Sequence, residues 1–306
     1  MYHIHGTSDA GFREAGCSCL RHRPSVDQLW SLTDFARPPM SHLLDQQGFA
    51  VVPHVLTTSE REQLIESLGP VTGAGRRGLL ALPIVAQLAR SSRLLDIVRP
   101  HLPADPRPVR AIYFDKVPET NWLVAWHQDL TLALRARVDA PGFGPWSVKD
   151  GVPHVQAPVH LLEQMLTTRL HLDDCDETNG ALRVLPGSHR LGRLSAERIR
   201  LLRKHDPDHL CHLSAGDALL MRPLLLHASS RSQSNRHRRV LHIEYAAFPL
   251  PDPLEWHEAE HDENRPTHGA AVKPTTVSHT RLRENSSRSR HTNCEEHTCW
   301  AREKIV

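Results

Sequence analysis

The 306-residue chain predicts a mainly β protein with flanking helices, folded as a double-stranded β-helix of the jelly-roll or cupin-like barrel kind. Three observations carry that expectation. Apolar residues at helical spacing are confined to the stretch before Pro108. After it come short strand-like runs, separated by Gly, Pro, Asn and Asp clusters that punctuate antiparallel sheets. Helices first and strands afterwards fit a helical layer packed on one sheet of a barrel.

The patterned sequence lies in residues 41–250. Residues 1–40 form an arm of mixed polar composition, with one amphipathic patch at Leu29, Trp30, Leu32 and Phe35. Residues 251–306 are polar and charged, too poor in apolar groups to offset ordering entropy, so a disordered tail is expected.

Within the body, GFAVVPHVL at 48–56 reads as a strand. Thr57 with Glu60, or Ser59 with Glu62, supplies a capping box for the helix EREQLIESL. A second helix is expected over 79–102, with Leu82, Val85, Leu88 and Ala89 at helical spacing and Pro83 near its first turn. The strand runs that follow are VRAIYFDKV, WLVAWHQDL, MLTTRLHL, ALRVLP, DALLMRPL and RVLHIEYAAF.

Composition narrows the function classes. The net charge is +2 and the basic residues are dispersed, which argues against nucleic acid as a partner. No stretch approaches the roughly 20 apolar residues of a membrane span, and the N-terminus has no basic end followed by an apolar core. A cytoplasmic protein acting on a small-molecule substrate is the expectation. The six cysteines lack the regular spacing of a disulfide scaffold, so reduced thiols are expected.

Gly73-Ala74-Gly75-Arg76-Arg77-Gly78 matches the dinucleotide fingerprint literally. It follows a helix rather than a strand, so it reads as a turn. The chemistry lies elsewhere. His127-Gln128-Asp129 ends an apolar aromatic run, and on a strand residues two apart share a face. Two imidazoles and one carboxylate on a metal leave open positions, the arrangement of non-haem Fe(II) oxygenases. His171-Leu172-Asp173 offers the same spacing, but it runs into the acidic cluster Asp174, Asp176 and Glu177, more typical of a solvated strand end. His127 and Asp129 are therefore preferred.

His227 closes the apolar run DALLMRPLLLH, read as one strand that carries the imidazole inward. A small polar turn follows, then Arg238 and Arg239 open the next strand, read as antiparallel to it. Only one of the two arginines can face inward. That one would grip a carboxylate with its planar fork, and Ser229 could add a hydroxyl.

FDKVPETNWLVAWHQD, RLHLDDCDETNGALRVLPGSH and AGDALLMRPLLLHASS followed by RRVLHIEY resemble the phytanoyl-CoA dioxygenase family of Fe(II)- and 2-oxoglutarate-dependent oxygenases. The resemblance implies Fe(II) on His127, Asp129 and His227, with 2-oxoglutarate and O2 as co-substrates and Arg238, ahead of Arg239, on the distal carboxylate. It implies conversion of 2-oxoglutarate to succinate and CO2, with an organic substrate hydroxylated. A carboxylate at 129 favours hydroxylation over halogenation. Asn179-Gly180 and Pro186-Gly187-Ser188-His189 match the family's turns, which makes His189 a turn residue.

One position departs from the better-known family branch: Arg169 stands where tryptophan is usual. Alternation puts Thr167, Arg169 and His171 on one face, so Arg169 would contact 2-oxoglutarate or an acidic substrate group, or pair with Asp173 or Glu177. Gln128, Lys116 and Trp126 are further pocket candidates, Trp126 more often core. Residues 140–158 read as a loop beside the metal, suited to a lid. Two other readings stay open: a non-catalytic binding or regulatory protein on the same fold, and zinc on His291, Cys294, His297 and Cys299.

Overall fold

A computed structural model describes residues 39–258 apart from 72 and 74. The amphipathic patch at 29–35 and the proposed zinc cluster of the tail lie outside the described residues.

Four helices precede most of the strands: α1 (Met40–Gln47), α2 (Thr58–Leu68), α3 (Pro83–Ala89) and α4 (Ser92–Val98), with β1 (Phe49–Val52) after α1. The capping box forms at Thr57, whose hydroxyl accepts from Glu60 N–H while Glu60 carboxylate accepts from Thr57 N–H. The expected second long helix is two short ones. Ser91 restarts it, its side chain accepting from Leu94 N–H and capping α4, so the continuous apolar spacing hid a break.

β2 (Arg107–Lys116), β7 (Met165–His171), β10 (Ala218–Met221) and β12 (Arg238–Ala246) join β1 in a five-stranded antiparallel sheet ordered β1-β10-β7-β12-β2. β3 (Val124–His127), β8 (Leu182–Val184), β9 (His209–Leu210) and β11 (His227–Ser229) make the second, ordered β3-β11-β8-β9. The larger sheet is two-faced. Leu241, Ile243 and Tyr245 of β12, with Leu166 and Leu170 of β7, pack with Leu64, Val85 and Leu94 of the helices. The residues between them, Arg238, His242, Glu244 and Arg169, turn to the opposite face and line a pocket shared with His127 and His227 of the second sheet. These antiparallel sheets with a helical layer are the cupin-like double-stranded β-helix architecture.

Two strand readings are corrected. The run ending at His227 is not one strand: β10 stops at Met221 and the chain crosses to the other sheet before β11. β12 accordingly pairs with β2 and β7, not with β11.

The stretch 140–158 is also more regular than a loop. β5 (Trp146–Lys149) and β6 (Val152–Gln156) form a hairpin on β4 (Thr131–Ala133), turned by Asp150 and Gly151 at φ 49° and 79°. Positive φ at both central positions suits the right-handed twist of a hairpin, and Asp-Gly tolerates it. The folded body also outruns residue 250. Leu254 and Trp256 are buried with Leu132, Phe248 and Val155, and Leu134 bridges Trp256. Pro251, Asp252, Pro253 and Glu255 gave this segment a tail-like composition, while two large apolar side chains were enough to seat it.

No helix among the described residues is long and apolar enough to cross a membrane. Cys175 and Cys211 are free and buried.

Candidate metal centre

β3 delivers His127 at its last position, and β11 delivers His227 at its first. The two are cross-strand partners, so their rings meet at a centroid separation of 4.2 Å. Asp129 follows two residues later, held where its backbone N–H donates to Pro223 O at 2.9 Å. Its oxygens stand 3.6 Å from His127 Nε2 and 3.7 Å from His227 Nε2. All three donor atoms lie within 4.8 Å of one another.

The protonation pattern suits a divalent cation. His127 Nδ1 lies 2.8 Å from Ala125 O, and His227 Nδ1 2.8 Å from Leu225 O. Each carbonyl can only accept, which assigns the proton to Nδ1 and turns the Nε2 lone pair toward Asp129. Burial, reinforced by the His127 ring, pushes His227 down to about 3. At His127 burial also works downward, but the hydrogen bond and charge of Asp129 outweigh it and raise the ring. Burial pulls the Asp129 carboxyl upward, yet His227 and His127 hold it well below the usual carboxylate range. Asp129 Oδ2 is buried without a hydrogen-bond partner. An orphaned carboxylate oxygen between two lone pairs costs free energy unless a cation completes it, so the donor set fits a metal ion.

The inward strand positions supply the rest of the pocket. Arg238 is 3% exposed and lines it, with Nε unpartnered. Arg239 faces the other way and forks onto Asp173, with Nη2–Oδ1 at 2.6 Å and Nε–Oδ2 at 2.8 Å. Ser229 also lines the pocket; its hydroxyl donates to Gly180 O at 2.8 Å and accepts from Lys116 Nζ at 2.8 Å. Lys116 is wholly buried and pushed down to about 7 by burial and then by Arg238. It braces Ser229 and Ser230 O rather than lining the pocket.

Gln128 is absent from this inner pocket and lines an outer groove beside the triad. Strand alternation turns it away from the triad, and its amide ties Gly192 O, Leu224 O and Leu194 N–H together. Trp126 likewise lies outside the inner pocket, stacked under Arg203 and lining the outer groove. Arg169 lines the pocket but pairs with neither expected carboxylate: Asp173 belongs to Arg239 and Glu177 to His212. Its Nη1 is 2.9 Å from His242 Nδ1, and its guanidinium lies over the Phe114 ring at 5.6 Å.

His171, from the rejected pair, is buried beside Arg169 and Arg238 with both ring nitrogens unpartnered. Sequence reasoning missed Arg110, Lys149, His242 and Glu244, all of which line the pocket. The signal for three of them was present. Arg110 shares a face with Phe114, and Arg238, His242 and Glu244 recur at even spacing along β12.

A sequence model of the phytanoyl-CoA dioxygenase family matches residues 44–240. No curated protein matches the sequence. Among solved structures, AviO1 from Streptomyces viridochromogenes Tue57 is 21% identical with a TM-score of 0.51, covering 72% of this chain and all of that one. HygX from Streptomyces hygroscopicus with iron bound is 22% identical with a TM-score of 0.51, covering 69% of this chain and 87% of its own. EctD from S. alaskensis with bound Fe is 18% identical with a TM-score of 0.54, covering 69% and 77%. These likenesses establish the fold, and the family match, over well more than half of the sequence, establishes that the chain belongs to the phytanoyl-CoA dioxygenase family of Fe(II)- and 2-oxoglutarate-dependent oxygenases.

Proposed function

We propose that the chain hydroxylates a small organic substrate, with Fe(II) on His127, Asp129 and His227 and the distal carboxylate of 2-oxoglutarate on Arg238. The observation that carries this is the convergence of the three donor atoms in one pocket with a buried arginine fork. HygX crystallised with nickel and 2-oxoglutarate bound, on a similar fold, supports the cofactor assignment.

Bound iron would supply the O2-dependent decarboxylation of 2-oxoglutarate to succinate and CO2 that drives the oxidation. The chain's own groups do the positioning. Ala125 and Leu225 carbonyls fix the two imidazoles in the tautomer that presents Nε2. Asp129 keeps its negative charge through neutral pH because the histidines favour it. Arg238, buried in the pocket, would form charge-assisted hydrogen bonds worth about 1.5–3 kcal/mol to a carboxylate there. Ser229 is fixed by Lys116 and Gly180 O beside it.

Asp129 would occupy the coordination position that a halide needs, which supports hydroxylation over halogenation. The test is Fe(II)-dependent conversion of 2-oxoglutarate to succinate by the purified full chain. Absent succinate formation would favour a non-catalytic binding role instead.

A further inference from the structure

The pocket has a second charged end that the oxygenase chemistry does not use. At Arg110 and Glu244, Nη1 and Oε1 are 3.1 Å apart, and His242 Nε2 lies 3.3 Å from the same oxygen. Same-face residues of a strand are about 6.7 Å apart, so Arg238 and Glu244, three steps along β12, are separated by roughly 20 Å. A five-carbon dicarboxylate spans roughly 6–7 Å on single-bond dimensions. Anchored at Arg238, it is too short to occupy the Arg110–Glu244 end as well.

Lys149, from the β5–β6 hairpin, joins this end. Its ammonium lies within electrostatic reach of Arg110, Asp129, Arg77 and Glu244. With His127, Asp129 and Thr131 it lines both the inner pocket and an outer groove that continues past Trp146, Val148 and Ile199. The triad therefore stands where the groove meets the pocket.

Charge decides what this end accepts. The inner pocket holds four cationic side chains, Arg110, Lys149, Arg169 and Arg238, against the carboxylates of Asp129 and Glu244. A divalent cation and a dianionic co-substrate add equal and opposite charge, so the loaded pocket keeps its positive excess. Arg169 has no carboxylate partner among the described residues. An alkyl chain buried here would shut this positive excess away from solvent without neutralising it, at a cost of several kcal/mol.

The geometry points to a substrate that carries an anionic group, carboxylate or phosphate, held by Lys149 and Arg110 on the opposite side of the triad from Arg238, with a less polar body in the groove against Trp146 and Ile199. Lys149 is then the specificity-determining residue. The assignment rests on the oxygenase function proposed above.

The experiment uses the full chain loaded anaerobically with Fe(II) and 2-oxoglutarate. Aliphatic and aromatic carboxylates, and phosphate monoesters, are each compared with the neutral amide or alcohol counterpart by thermal stabilisation, since a ligand that binds the folded state raises Tm. Anions of one class stabilise and their neutral counterparts do not; which class does so identifies the group. Lys149→Met raises the half-saturating concentration of the binding anion at least about tenfold, whereas Lys149→Arg retains the preference. Equal stabilisation by neutral counterparts, no stabilisation by any anion, or an unchanged anion response in Lys149→Met overturns the inference. Failure of the oxygenase function itself is seen earlier, as no absorption band when Fe(II) and 2-oxoglutarate are mixed with the protein, and it removes the inference with it.

Discussion

His127-Gln128-Asp129 and His171-Leu172-Asp173 have identical spacing and opposite fates. In the first, the histidine ends a strand whose cross-strand partner is His227, and Asp129 falls between the two rings. In the second, His171 faces Val240 across the sheet, Arg169 and Arg238 flank it, and Asp173 turns outward to Arg239. Spacing thus brings a pair to a strand end, but the partner on the neighbouring strand decides whether it converges on a metal. Cationic neighbours keep the second pair from doing so.

The largest effect should separate the two pairs outright. His127→Ala, Asp129→Ala or His227→Ala should reduce Fe(II)-dependent succinate formation to background, because each leaves two donors. Asp173→Ala should retain it, and measurable turnover in the His127 and Asp129 variants would transfer the site to the other pair. Next come the arginines that accompany each pair. Arg238→Ala should weaken the apparent affinity for 2-oxoglutarate by about tenfold to a hundredfold, the equivalent of one lost charge-assisted contact. Arg239→Ala should leave it unchanged, and the reverse result would place the clamp on the outer face.

Acid sensitivity sharpens the contrast further. His171 is held well below its ordinary value by burial and then by Arg169 and Arg238, and burial pushes His154 and His189 down to about 4. Their folded-state values lie under the unfolded value of about 6.5, so unfolding takes up protons between the two. Stability should be full above about pH 6.5 and fall as the pH drops toward 4. Urea denaturation across that range should show a shallower fall in His171→Leu, which also removes two unpartnered ring nitrogens. An unchanged slope would show that His171 is not among the groups that resist protonation. The smallest effect belongs to the Arg239–Asp173 pair, which is about one-fifth exposed on each side. Its loss should cost about 1 kcal/mol of stability by urea denaturation, with no change in the iron site.

Much of this is legible in the sequence. Period-two alternation placed Thr167, Arg169 and His171 on one face and Leu170 and Leu172 on the other, and the structure shows that arrangement. The same rule contained His242 and Glu244, inward with Arg238, although their role needs Arg110 across the β2–β12 ladder to be visible. What spacing could not supply was non-local. The crossing from β10 to β11 depends on Pro223 O receiving Asp129 N–H from 94 residues away in sequence. Lys149 arrives on a hairpin whose position is set by β4 pairing, and nothing in WSVK marks it as a pocket residue. Gln128 misled for the opposite reason: it sits between two donors in sequence, which on a strand is the position that points away.

The central claim, that cross-strand partnership and not spacing selects the iron ligands, is tested most directly by mixing Fe(II) and 2-oxoglutarate anaerobically with the native chain, His127→Ala and His171→Ala, and recording the metal-to-ligand charge-transfer absorption. The native chain and His171→Ala should show the band, and His127→Ala should not. A band that survives in His127→Ala and vanishes in His171→Ala would contradict the account.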